Sequence, residues 1–157
     1  MAPASQLLLL VANARREPPT VATKPAPRLL IVDDDEGVRE MFTRVLRGEG
    51  YAVRAVATAG AGLEAVAEWR PDAILLDYLM PFVNGLGFLY RLRAHESASR
   101  TPVAVLTGAG DVEGALATEC ATLGAAVYFK PIQRGGLGKV VRGLLASASA
   151  EESPSRA

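Results

Sequence analysis

Apolar residues gather in five runs of strand length along the chain: RLLIVD (28–33), YAVRAV (51–56), AILLD (73–77), PVAVLT (102–107) and AAVYFK (125–130). Between the runs the apolar positions change to spacings of three and four, as an amphipathic helix requires. Val38, Met41, Phe42, Val45 and Leu46 form the first such set, ending at Gly48 and Gly50. Leu63, Val66 and Ala67 form the second before Pro71, and Leu86, Leu89, Tyr90 and Leu92 the third. Residues 112–123 form the fourth, and Leu137, Val140, Val141, Leu144 and Leu145 the fifth. Strands alternating with helices predict a parallel sheet with helices on both faces, because right-handed crossovers put helices on each side. The expected fold class is α/β, a doubly wound five-stranded parallel sheet with five helices.

Composition adds boundaries. The chain has 157 residues, half of them apolar, enough for one core and too few for a second full domain. Residues 1–27 and 147–157 are rich in Ala, Pro, Ser and Thr without periodicity, so both are expected to be disordered extensions of a folded unit at 28–146. The apolar run at 7–12 is too short to span a bilayer, and no Lys or Arg precedes it as a secretory signal requires. Seventeen basic residues balance seventeen acidic ones, with no basic run, so neither nucleic acid nor an anionic membrane is an expected partner. A single cysteine, Cys120, and a single histidine, His95, supply neither a disulfide nor a zinc cluster, and a reducing cytoplasmic setting fits.

Against that neutral background, the first strand runs into four consecutive carboxylates, Asp33 to Glu36, and the third ends in Asp77. In open parallel sheets ligands collect beyond the carboxyl ends of the strands, where strand order reverses. If the two strands are neighbours there, Asp33, Asp34 and Asp77 converge on one pocket suited to Mg²⁺, which takes oxygen ligands and keeps open positions for water and phosphate. Thr107 and Lys130 end two further strands on the same edge, and a hydroxyl and an ammonium there can bind the oxygens of a transferred phosphoryl group. Asp35 and Glu36 fall where a helix begins and are expected to cap it.

These residues together resemble the receiver domain of two-component response regulators: Asp33-Asp34 after the first strand, Asp77 in DYLMPFVNG, Thr107-Gly108 after the fourth strand and Lys130-Pro131 after the fifth. The resemblance covers about 28–146. It implies a flavodoxin-like strand order 2-1-3-4-5, with Asp77 as phosphoryl acceptor and Mg²⁺ held by Asp33, Asp34, Asp77 and the backbone carbonyl of Leu79. It also implies Thr107 as the switch hydroxyl, Lys130 as the phosphoryl partner, and a sensor histidine kinase or histidine phosphotransfer protein as donor. Leu79 and Ala109 flank the path of an attacking water in such receivers, and as apolar residues they imply a persistent phosphorylated state.

Some features depart from that pattern or imitate another. The segment GAAVYFK is one residue short, so the aromatic switch position falls on Val127 counted from Lys130 or on Tyr128 counted from Gly124. The fifth helix carries four glycines, Gly135, Gly136, Gly138 and Gly143. GAGLEA (60–65) mimics a dinucleotide-binding fingerprint, but that reading leaves Asp33, Asp34 and Lys130 without a role. With about ten residues left after the fifth helix, the expectation is a stand-alone receiver that catalyses only its own phosphorylation and dephosphorylation. It would signal by binding an unidentified downstream protein or forming a phosphorylation-dependent homodimer, with a phosphorelay intermediate as the alternative.

Overall fold

In the computed structural model, which describes residues 23–108 and 114–151, the alternation becomes β1 (Arg28–Val32), α1 (Glu36–Gly48), β2 (Ala52–Val56), α2 (Ala59–Trp69) and β3 (Ala73–Asp77). It continues through α3 (Gly85–Arg93), β4 (Val103–Thr107), α4 (Gly114–Thr122), β5 (Ala125–Phe129) and α5 (Arg134–Glu151). Local chemistry sets several helix starts. Asp35, Thr58 and Asn84 each stand in extended backbone at an N-cap and accept a hydrogen bond from an N–H inside the first turn, at Val38, Ala61 and Gly87 respectively. Helix α2 ends at Arg70 in left-handed conformation (φ 48°), one residue before the proline that cannot continue it.

The five strands are parallel in the order β2-β1-β3-β4-β5, so the order reverses between β1 and β3. Alternate strand residues feed two cores. Leu30, Val32, Ile74, Leu76, Val103 and Val105 meet α2, α3 and α4 through Val66, Phe88, Leu92 and Cys120. Leu29, Ile31, Leu75, Ala104 and Leu106 meet α1 and α5 through Phe42, Leu46, Leu137 and Val141. Strands β3 and β4 are buried along their whole length, which is why they read as unbroken apolar runs. Among the described residues no helix is long and apolar enough to cross a membrane.

The expected tail at 147–157 starts later than its composition suggests. Helix α5 continues to Glu151: Ser147 and Ser149 donate their hydroxyls back to the carbonyls of Gly143 and Leu145, at 3.0 and 3.1 Å, and alanines fill the positions between. At the other end, the Pro27 carbonyl already accepts from the Ala52 N–H at 3.0 Å. The rest of the expected extensions, 1–22 and 152–157, lies outside the described residues, as does the start expected for the fourth helix at Val112.

Candidate functional site

Because β1 and β3 are paired, their carboxyl ends bring Asp33, Asp34 and Asp77 together, with one carboxylate oxygen from each lying within 4.8 Å of the others. Asp33 and Asp77 are buried and Asp34 is exposed, so the cluster opens to solvent on one side. Lys130 reaches across from the end of β5. Its Nζ donates to Asp33 Oδ2 and to Asp77 Oδ1, each at 2.9 Å. The backbone around the lysine is tied to the neighbouring strand, since Lys130 N–H donates to the Thr107 carbonyl at 2.7 Å.

Each acid has its own support. Asp33 Oδ1 accepts from the Asp35 N–H at 2.9 Å, while Asp35 caps α1. Arg39, one turn into α1, donates Nη1 to the carbonyls of Asp33 and Asp34 at 2.8 and 2.9 Å, fixing the acidic turn from behind. Asp77 is free of any capping duty because Asn84 caps α3. The α3 start presses directly on the end of β3: a Cβ on Gly85 would stand 2.6 Å from the Asp77 carbonyl oxygen and 3.0 Å from Tyr78 Cα. Only glycine permits that approach. Thr107 is buried at the end of β4, and among the described residues its hydroxyl reaches only the Gly108 carbonyl, at 3.5 Å, the outer limit of a hydrogen bond. Leu79 lies two residues beyond Asp77 with its side chain half exposed.

The electrostatics match three acids served by one cation. Burial pushes the Asp77 carboxyl above the usual aspartate range, the hydrogen bond from Lys130 opposes this, and the charges of Asp33 and Asp34 add to the rise. Burial alone would lower the Lys130 ammonium, but its hydrogen bonds to Asp33 and Asp77 outweigh that and hold it above the ordinary lysine value. Among the described residues, three negative groups against one positive leave local charge for a hard dication to neutralise. The donor set fits one, with carboxylate oxygens and an open solvent side.

The register decides the position the sequence left open. Val127 pairs with Val105 and packs into the α2–α4 core, whereas Tyr128 pairs with Leu106 and packs into the opposite core. Phe129 pairs with Thr107 and is largely exposed, so the aromatic ring on the threonine's side of the sheet is one that counting had passed over. The fingerprint at 60–65 is a packing motif. A Cβ on Gly62 would stand 2.8 Å from Phe88 Cε2 and 3.0 Å from Val32 Cγ2, and Asp77 ends a strand that does not pair with β2. His95 is exposed beyond α3, with Nδ1 3.2 Å from Ser97 Oγ. Ala109 lies outside the described residues. Arg39 and Phe82 went unremarked in the sequence, where one reads as a helix-surface charge and the other as an ordinary loop residue.

Comparison with known proteins agrees with this geometry. The family model for the response regulator receiver domain matches residues 29–142. The response regulator MprA of Mycobacterium sp. (strain KMS) is 37% identical over 128 residues, covering 81% of this chain and 54% of that protein. The DNA-binding response regulator MtrA of Mycolicibacterium smegmatis is 43% identical over 84 residues, 54% of this chain and 36% of that one. The chain thus spans about a third to a half of the length of these curated relatives. Among solved structures, the CheY-like receiver domain protein of Methanospirillum hungatei superposes with a TM-score of 0.73 at 28% identity, covering 80% of this chain and 98% of that one. The chemotaxis protein CheY4 of Vibrio cholerae gives 0.72 at 27% identity, covering 76% and 99%. With the switch-point acids, the strand order and the family match in agreement, the chain belongs to the response regulator receiver family of two-component systems.

Proposed function

We propose that Asp77 accepts a phosphoryl group from a phosphohistidine on a sensor histidine kinase or histidine phosphotransfer protein. In the transfer an Asp77 carboxylate oxygen bonds to phosphorus, the phosphorus–nitrogen bond breaks, and the donor imidazole leaves with the electron pair. Asp33, Asp34, Asp77 and the Leu79 carbonyl are the residues that would hold Mg²⁺, which when bound screens the repulsion between carboxylate and phosphoryl oxygens. Lys130 supplies the second positive charge and Thr107 a hydroxyl for a phosphoryl oxygen. The observation that carries this reading is the Lys130 bridge, 2.9 Å to both Asp33 and Asp77, which sets an ammonium beside the acceptor oxygen.

Beyond its own phosphorylation and dephosphorylation the chain is proposed to catalyse nothing. Its output is proposed as phosphorylation-dependent binding of a protein partner, a second copy included, in the cytoplasm. The DNA binding in the name of MtrA belongs to that protein. With purified protein and acetyl phosphate, Mg²⁺-dependent labelling at Asp77 is the expected result, abolished in a folded Asp77→Asn variant. Normal labelling of that variant would sink the assignment. Return of the phosphoryl group from Asp77 to a phosphotransfer histidine would mark the chain as a relay intermediate rather than a terminal signal.

A further inference from the structure

The loop between the acceptor strand and α3 is anchored on both sides and displays one residue outward. Met80 is buried, Val83 packs against the α2–α4 core, and Gly85 N–H donates to the Tyr78 carbonyl at 2.8 Å. Between these anchors Phe82 is fully exposed, with a relative accessibility of 106%. It is also the centre of a γ-turn: Val83 N–H donates to the Pro81 carbonyl at 2.8 Å while Phe82 holds φ at 67°. That conformation is disfavoured for every residue with a Cβ, and glycine would adopt it freely. The fold gains no burial from the ring and bears the strain of its backbone. A return on that cost comes only when another surface covers the ring.

We propose that Phe82, with Leu79 also exposed in the same loop, is the anchor by which the phosphodonor protein docks, inserting into an apolar recess of the donor surface flanking the phosphohistidine. This rests on the reading of Asp77 as phosphoryl acceptor. To bring phosphorus to an Asp77 oxygen, a protein donor must cover the end of β3, where this loop stands, whereas a small donor need not. Electrostatics makes an apolar anchor useful there. Asp33, Asp34 and Asp77 are offset by Lys130 and by the dication they would hold, so the site exerts little net pull on an incoming protein, and apolar contact supplies attraction that salt does not screen.

The experiment compares the full-length parent with Phe82→Gly and Phe82→Trp. Each is labelled with acetyl phosphate under Mg²⁺, and each receives phosphate from whichever purified, autophosphorylated histidine kinase of the source organism phosphorylates the parent fastest. Phe82→Gly should label from acetyl phosphate within twofold of the parent, lose at least tenfold in kcat/KM with the kinase, mainly through KM, and unfold at a denaturant midpoint no lower than the parent's. Phe82→Trp should keep kinase transfer within threefold. Transfer to Phe82→Gly at the parental rate overturns the proposal. So does an equal loss with both donors, which would put the ring's effect on the acceptor site itself. Self-association of the parent in sedimentation that Phe82→Gly abolishes, with kinase transfer intact, assigns the ring to a homodimer and overturns it as well. Absence of acetyl phosphate labelling in the parent is a separate result: it removes the acceptor reading and the donor assignment with it.

Discussion

Asp77 and Leu79 stand two positions apart in the chain and have opposite surroundings, one carboxyl buried against Lys130 and one apolar side chain half in solvent. Hydrolysis of a phosphorylated aspartate needs a water held in line with phosphorus, and Leu79 offers no group to hold one. Replacement by asparagine adds a donor and an acceptor at an exposed position, so Leu79→Asn should leave stability unchanged while shortening the lifetime of phosphorylated Asp77, by roughly tenfold if orientation of the water is what limits. A chase after acetyl phosphate removal measures it, and equal decay rates would place the limit elsewhere. At this scale placement was legible where strand ends fix it: Asp33, Asp34, Asp77, Thr107 and Lys130 needed only the alternation of strands and helices to be placed on one edge. Phe82 and Arg39 were not legible, because a positive φ and a reach of one helical turn back to the Asp33 and Asp34 carbonyls exist only after the loops close.

The helices differ in how they use their glycines. In α2, Gly62 lies against Phe88 and Val32, both fully buried, which have no space to retreat, so Gly62→Ala should cost about 1–3 kcal/mol as overpacking. In α5, Gly143 has no neighbour within 4 Å of where a Cβ would stand, and it lies mid-helix. There alanine removes the entropic disadvantage without a clash, and Gly143→Ala should raise stability by about 0.5–1 kcal/mol. Urea denaturation of the two variants tests both signs, and a stabilising Gly62→Ala or a destabilising Gly143→Ala would contradict the packing described. A sequence reader meets similar glycines in both helices, because spacing does not say whether a neighbour occupies the Cβ position. The same gap explains one position left open and one boundary placed too early. Whether Val127 or Tyr128 faced the switch side depended on the register of β5 against β4, and the end of α5 depended on serine hydroxyls bonding within the helix.

Across the whole molecule charge is balanced, yet among the described residues the site concentrates three carboxylates around one ammonium, an imbalance that should couple folding to pH and, on the proposed function, to divalent cations. Without metal, the raised Asp77 value means that the folded chain binds a proton where the unfolded chain has released it. Stability from this group is therefore present at acid pH, below the ordinary aspartate range, and is lost as pH rises through the raised folded value. Asp77→Asn removes that loss, so in EDTA its advantage over the parent should be absent at acid pH and should grow toward neutrality. Lys130 has its window at the alkaline end, its contribution full below the ordinary lysine value and lost as pH rises through the raised one, so it leaves the acid comparison untouched. On the proposed function, Mg²⁺ held by the three acids would reverse the balance at neutral pH by favouring the ionised cluster. A hundredfold excess over Kd stabilises by about 2.7 kcal/mol, on the order of 10 °C in Tm for a domain of this size. Thermal unfolding of parent and Asp77→Asn at acid and neutral pH, with Mg²⁺ and with EDTA, reads both couplings. The expected pattern is a Mg²⁺ shift in the parent that is large at neutral pH, small where protons compete for the carboxylates, and reduced in Asp77→Asn. A Mg²⁺ shift of equal size in parent and variant would mean that the ion stabilises some other part of the chain.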